Sequence, residues 1–151
     1  MKTYIHYINE NTLKNIFILI MEDDVSGIKE YLKTKHTFPI IMVNNVDLTL
    51  FSYAVIYSNI EVTQLFVDAG CDINIKIDHD NNNVLKAALD EDKFEMFLYL
   101  IDIGVDPYHK NYKGSTIFDY MFDDEIEELE KLSPGFKRKY LKEQNRKKFN
   151  L

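Results

Sequence analysis

Two short amphipathic helices are predicted back to back between residues 49 and 69. Apolar residues recur there at the three- and four-residue spacing of one helix face rather than at the alternating spacing of a strand. Ser58 and Asn59 lie between the two helices as turn and cap residues, and Gly70 follows where a left-handed backbone is favoured. The apolar positions are Phe51, Ala54 and Val55 in the first helix, then Val62, Leu65, Phe66 and Ala69 in the second.

This segment resembles the ankyrin repeat. The family's Thr-Pro-Leu-His-x-Ala-Ala segment appears as TLFSYAV from Thr49 to Val55, without the Pro and the His. The family's Glu-Val-Val-x-x-Leu-Leu-x-x-Gly-Ala-Asp-Val-Asn segment appears, much more closely, as EVTQLFVDAGCDIN from Glu61 to Asn74. The resemblance implies helix pairs stacked into a solenoid that binds another protein without catalysing a reaction.

The same apolar pattern recurs along the chain, as it must in a solenoid. It returns weakly at 83–97, in shortened form at 114–132, and without any family signature at 17–32. We therefore predict an all-α fold, a short α-solenoid of about four ankyrin-like helix pairs with turn or hairpin connections and a C-terminal capping helix. Within one domain, 1–151, the predicted units are 11–44 (divergent N-terminal cap repeat), 45–77 and 78–111 (repeats), 112–135 (truncated repeat) and 136–151 (basic capping helix and tail).

Charge is unevenly distributed around a net value of −7. Residues 136–151 contain 7 Lys/Arg and 1 Glu, so the 11 basic and 24 acidic residues of 1–135 leave the body strongly acidic. An acidic body disfavours nucleic acid and favours a basic protein as partner. The tail has two interpretations: it packs on the acidic helix before it, or it is a contact for nucleic acid or an anionic membrane.

Cys71 is the only cysteine and stands where the resembled family has alanine, so we expect a buried packing residue in a reducing compartment. The N-terminal sequence does not predict a secretory signal, and the most apolar run, 16–21, is far shorter than the roughly 20 residues of a membrane span. The sequence thus predicts a cytoplasmic protein, a monomer with no membrane span.

Catalysis is not predicted, and neither a cofactor, a metal nor a small-molecule substrate is expected. His79 between Asp78 and Asp80 could be drawn as a metal or acid–base group, but the triplet lies in a predicted turn, where polar residues serve geometry and solvation. An enzyme would have to use His79, Asp80 or Cys71.

Partner-binding residues are predicted from the repeat register. In proteins of this family, partners are usually bound by the turns between repeats and by the residues just after the first helix of each repeat, which line the concave face. The alternatives are a solvated acidic face or a mistaken register. The concave candidates are Glu22, Asp23, Ile56, Tyr57, Asp90, Glu91, Asp123 and Asp124, with Ile56 and Tyr57 as apolar anchor; the turn candidates are Val46, Leu48, His79, Asp80, Tyr112 and Lys113.

Three roles remain open for such an interaction protein. The favoured one is an immunity protein that neutralises a basic toxin, and the alternative is a bacterial effector or viral protein that binds a host component. A third is an assembly element that dimerises through an exposed apolar patch near Ile56 and Tyr57, with Val46 and Leu48 either in that patch or packed on the N-terminal unit.

Overall fold

A computed structural model describes residues 10–34, 40–43 and 46–141. These residues are mostly helical, with one short antiparallel hairpin, which is compatible with the all-α class. The α-helices are α1 (Glu10–Met21), α2 (Val25–Thr34), α3 (Leu50–Tyr57), α4 (Ile60–Asp68), α5 (Val84–Asp90), α6 (Phe94–Asp102) and α7 (Asp123–Leu132); the strands are β1 (Ile40–Val43) and β2 (Val46–Thr49).

Local sequence signals set the helix ends. The Thr49 hydroxyl accepts the Ser52 backbone N–H (3.1 Å) while the Ser52 hydroxyl accepts the Thr49 N–H (3.0 Å), which is a capping box at the start of α3. The Asn59 side chain caps α4 by accepting the Val62 N–H at 3.0 Å. Gly70 and Gly104 follow α4 and α6 with φ of +87° and +103°, a backbone region that glycine enters without steric cost.

The connection before α3 is a two-stranded hairpin. Strands β1 and β2 pair from Ile40 opposite Thr49 to Val43 opposite Val46, and β2 leads directly into α3. Of the predicted turn or hairpin connections, the one before α3 is therefore a hairpin. Leu48 on β2 is buried, so this hairpin is tied to the helices through its second strand.

Helices pack in consecutive pairs. Each pair is formed by neighbours in sequence, α1 with α2, α3 with α4, and α5 with α6; α3 lies between α1 and α5, α2 contacts α4, and α6 contacts α7. One continuous core runs through these contacts. Its largest fully buried side chains include Phe51, Phe66, Phe97, Phe136, Ile16, Ile20, Ile28, Leu50, Leu85, Leu100 and Leu129.

The apolar pattern places 114–122 over the first helix of the truncated repeat, but the structure forms no α-helix in that described segment. That segment forms a single 3₁₀ turn, Ile117–Asp119, at whose start the Asp119 carboxylate accepts the Thr116 backbone N–H at 2.7 Å. Helix α7 then begins at Asp123, with three acidic residues in its first turn, where carboxylates interact favourably with the helix dipole. Asp123 and Asp124 therefore start a second helix instead of following a first one.

After α7, the chain folds back through a short π-helical turn, Lys137–Leu141. Phe136 and Tyr140 are buried against Phe118, and the Glu130 carboxylate accepts the backbone N–H groups of Gly135 (2.9 Å) and Lys137 (2.8 Å). Up to residue 141 the basic segment is thus a packing element. The remainder of the predicted capping helix and tail lies outside the described residues.

Candidate functional site

The turns after the first helices of the three N-terminal pairs share one register. Asp23 and Asp92 have nearly equal positive φ values, +54° and +53°, and each lies two residues before the second helix of its pair. Ser58 has that place in the middle pair, and its hydroxyl donates a hydrogen bond to the Asp23 carboxylate. The backbone is therefore alike in the first and third turns, while Ser58 is extended with a φ of −131°. A hydrogen bond connects the first two turns.

One residue earlier in each turn stand Glu22, Tyr57 and Glu91, which we call the outer row. Each precedes its second helix by three residues, and all three side chains are exposed, Tyr57 by 48%. Across the described ranges, neither glutamate side chain forms a hydrogen bond or an ion pair, whereas Asp23 accepts a hydrogen bond from Ser58. The outer row thus places Tyr57 at the end of α3, which lies between α1 and α5, and the two glutamates directly after α1 and α5.

Tyr57 belongs to a chain of aromatic contacts that continues onto α1. Its ring centroid lies 4.4 Å from that of Tyr53, and the Tyr53 ring lies 4.6 Å from that of Phe17 in an edge-to-face arrangement. Burial, and secondarily the nearby Tyr57, raises the pKa of Tyr53. The sequence analysis did not select Tyr53 or Phe17 as site residues. The one signal that could have identified Tyr53 is its place at the variable position of the family's first segment.

Lys93 holds the end of α3, and sequence reasoning missed it as well. Its ammonium donates to the backbone carbonyls of Val55 (3.0 Å), Ile56 (2.6 Å) and Ser58 (2.8 Å). Burial lowers the pKa of Lys93, while the carboxylates of Glu91 and Asp23 act in the opposite direction. The lysine is therefore bonded to the end of α3 and interacts electrostatically with two of the predicted acidic residues.

Other concave candidates pack against the core or form ion pairs within the fold. Ile56 and Tyr53 are both half-buried against the core, so Tyr57 is the exposed side chain of the predicted anchor. Asp90 is exposed but forms an ion pair with Lys86, whose Nζ lies 5.3 Å from the centre of the Tyr120 ring. Among the concave candidates, the outer row keeps the exposed aromatic ring and the unpaired carboxylates together.

The turns between repeats bring three of their candidates into contact. The Tyr112 backbone N–H donates to the Asp80 carbonyl at 2.9 Å, and Lys113 pairs with the Asp80 carboxylate at 2.5 Å, which raises the pKa of Lys113. Tyr112 is 79% exposed, and His79 is exposed beside them. Leu48 is buried and therefore does not offer its side chain to a partner, while the side chain of Val46 lies outside the described residues.

The chemistry of the remaining candidates is limited. Burial raises the pKa of the Cys71 thiol to about 12, which keeps it protonated and unreactive at neutral pH. In the described ranges, His, Cys, Asp and Glu side chains nowhere gather in threes as a metal site would require. Over those ranges too, every helix is too short or too polar to cross a bilayer.

The described residues form consecutive pairs of packed helices. No protein-family model matches the chain. The chain is similar to an ankyrin repeat protein of Acanthamoeba polyphaga mimivirus, with 26% identity over 116 residues. The match covers 76% of this chain but 15% of that protein, so the chain spans a small fraction of the relative's length.

Proposed function

We propose that this protein is a non-enzymatic interaction module, built as a short ankyrin-like solenoid, that binds a basic protein through the outer row. The similarity to an ankyrin repeat protein supports protein binding as the activity. The observation that carries the location is the half-exposed ring of Tyr57, backed by Tyr53 and flanked in register by Glu22 and Glu91. An aromatic anchor supplies affinity, and surrounding charges supply selectivity and association rate.

Charge supports a basic partner. The body of the chain, 1–135, carries 24 acidic against 11 basic residues, and the outer row adds exposed carboxylates at the edge where Tyr57 lies. Several predicted acidic residues are already engaged within the fold, Asp23 with Ser58 and Asp90 with Lys86. Among the predicted concave candidates, the exposed carboxylates left for a partner are therefore those of the outer row and of Asp123 and Asp124.

The test is capture of a partner from a lysate of the source organism, followed by calorimetry with the purified partner. One variant combines Tyr57→Ala with Glu91→Lys; its matched control combines Tyr112→Ala with Asp102→Lys, which makes the same chemical changes away from the outer row. Circular dichroism must show both to be folded. We expect the first variant to lose the partner and the control to keep it.

A partner lost only by the control would place the contact in the turns between repeats. A partner retained by both variants would refute the outer row as the contact. Failure to find any protein that binds the wild type would refute the proposal that this chain is an interaction module.

Of the specific roles, the similarity favours the effector or viral one over the immunity protein, because the relative comes from a large virus. The identity of the captured protein distinguishes them: a basic toxin encoded beside this gene supports immunity, and a host component supports the other role. Dimerisation is less well supported, because Leu48 is buried and Ile56 is half-buried, which leaves little of the apolar patch exposed. Sedimentation at several concentrations tests it.

A further inference from the structure

We propose that the outer row binds an arginine side chain of the partner, with the guanidinium stacked on the Tyr57 ring and paired with Glu22 and Glu91. This inference rests on the proposed function and specifies the chemistry of the contact. Each of the three residues precedes the second helix of its pair by three positions, at the ends of α1, α3 and α5, and α3 contacts both α1 and α5. Helices packed side by side are roughly 8–10 Å apart, a distance that two long Glu side chains and an Arg can close.

The Tyr57 ring is positioned for such a contact. It is 48% exposed, and Tyr53 supports it at a centroid distance of 4.4 Å with the two planes inclined by 42°. A cation is attracted to the face of an aromatic ring when it lies within about 6 Å of the centroid. In the part of the chain that the structure describes, Lys86 and Lys139 are the cations recorded over a tyrosine ring, and neither lies over Tyr57.

The chain contains an internal example of the same chemistry. The Lys86 ammonium lies 5.3 Å from the centre of the Tyr120 ring and is also paired with the Asp90 carboxylate. A cation between an aromatic ring and a carboxylate is thus satisfied within the protein at one place. At the outer row the ring and the carboxylates are present, and the cation would come from the partner.

Arginine fits this surface better than lysine. Its guanidinium is planar, stacks on aromatic rings, and donates two parallel hydrogen bonds to a carboxylate, whereas the lysine ammonium is a compact, strongly hydrated charge. The nearby Lys93 does not fill the site, because its three hydrogen bonds go to the carbonyls at the end of α3. Its charge offsets part of that of Glu91, which makes Glu22 and the Tyr57 ring essential to the contact.

The test measures binding of a tetra-arginine peptide by calorimetry and by ¹H–¹⁵N spectra of the whole chain, with tetra-lysine as the comparison peptide. Tyr57→Phe keeps the ring, and Tyr57→Leu keeps apolar area without it. We expect Tyr57→Phe to bind tetra-arginine as the wild type does and Tyr57→Leu to bind roughly threefold more weakly. Glu22→Gln and Glu91→Gln should each weaken binding, and Asp102→Asn, an equal charge change at the end of α6, should not.

Equal affinity for the two peptides, or equal binding by Tyr57→Leu and Tyr57→Phe, would overturn the arginine site. Spectral changes confined to residues outside the outer row would overturn it as well. Failure of the arginine proposal is distinguishable from failure of the proposed function. If the Tyr57→Ala, Glu91→Lys variant still loses the captured protein, the outer row remains the interaction surface and only arginine recognition is refuted.

Discussion

Replacing Lys93 by Met tests how far one side chain stabilises the fold across two helix pairs. The Lys93 ammonium donates to three carbonyls at 2.6–3.0 Å, among the last of α3, and such end groups otherwise lack partners within the helix. Methionine has a similar length but no donor. The substitution therefore leaves these oxygens in a half-buried place without the charge that satisfies them.

The magnitude follows from two opposing contributions. Hydrogen bonds to a charged group are worth about 1.5–3 kcal/mol, and a cation at a helix C-terminus adds about 0.3–1 kcal/mol. Burial opposes this, as the lowered pKa of Lys93 shows, and water can reach part of the site once the lysine is gone. We expect Lys93→Met to reduce the free energy of unfolding by about 2 kcal/mol and the midpoint temperature by roughly 4–8 °C.

Urea unfolding followed by circular dichroism measures the loss, provided that the dependence on urea concentration is unchanged. Lys29→Met on α2 is the matched control, because Lys29 is exposed there and a surface change of this kind stays within about 0.5 kcal/mol. If Lys93→Met costs no more than Lys29→Met, the ammonium does not stabilise α3 and the reasoning fails.

Two further predictions concern titratable groups. Burial raises the pKa of Cys71 from 9.0 to about 12, so its contribution to stability should be complete below pH 9 and should disappear as the pH rises towards 12. The substitution Cys71→Ala should remove that pH dependence. Alkylation of Cys71 at pH 8 should be far slower in the native protein than in urea. The two backbone N–H groups that Glu130 accepts lower its pKa below the usual 4.5, so its contribution should be present above pH 4.5 and vanish as the pH falls through the lower folded value. Glu130→Gln should flatten acid unfolding in that window, and an unchanged acid transition would contradict the assignment.

Much of the helical pattern was predictable because its signals act within a few residues. Asn59 caps α4 three residues away, and Gly70 ends it with a backbone that other residues avoid. The last unit was harder to predict, because its apolar spacing is compatible with a helix. The Thr116–Asp119 capping box is the same kind of start signal as that of α3, so the local sequence does not show that this segment ends after one turn.

The repeat pattern selects candidate residues, and their role as a binding site stays a prediction. Tyr57 and Glu91 were selected because the repeat pattern places them after a first helix, and the structure leaves both exposed. Lys93 escaped prediction because its carbonyl partners are 35 to 38 residues away. Which acids remain unpaired also depends on such distant contacts, as the hydrogen bond between Ser58 and Asp23 shows.

The hydrogen bonds around the end of α3 fix the backbone beneath Tyr57 from both sides. Ser58 is connected to α1 through Asp23, and Lys93 connects the same end of α3 to α6. A partner would therefore meet a preorganised surface and would not have to order a loop, so little conformational entropy is lost on association. Free and bound forms should then superpose here within about 1 Å, and affinity changes caused by mutations in the outer row should appear mainly in the dissociation rate.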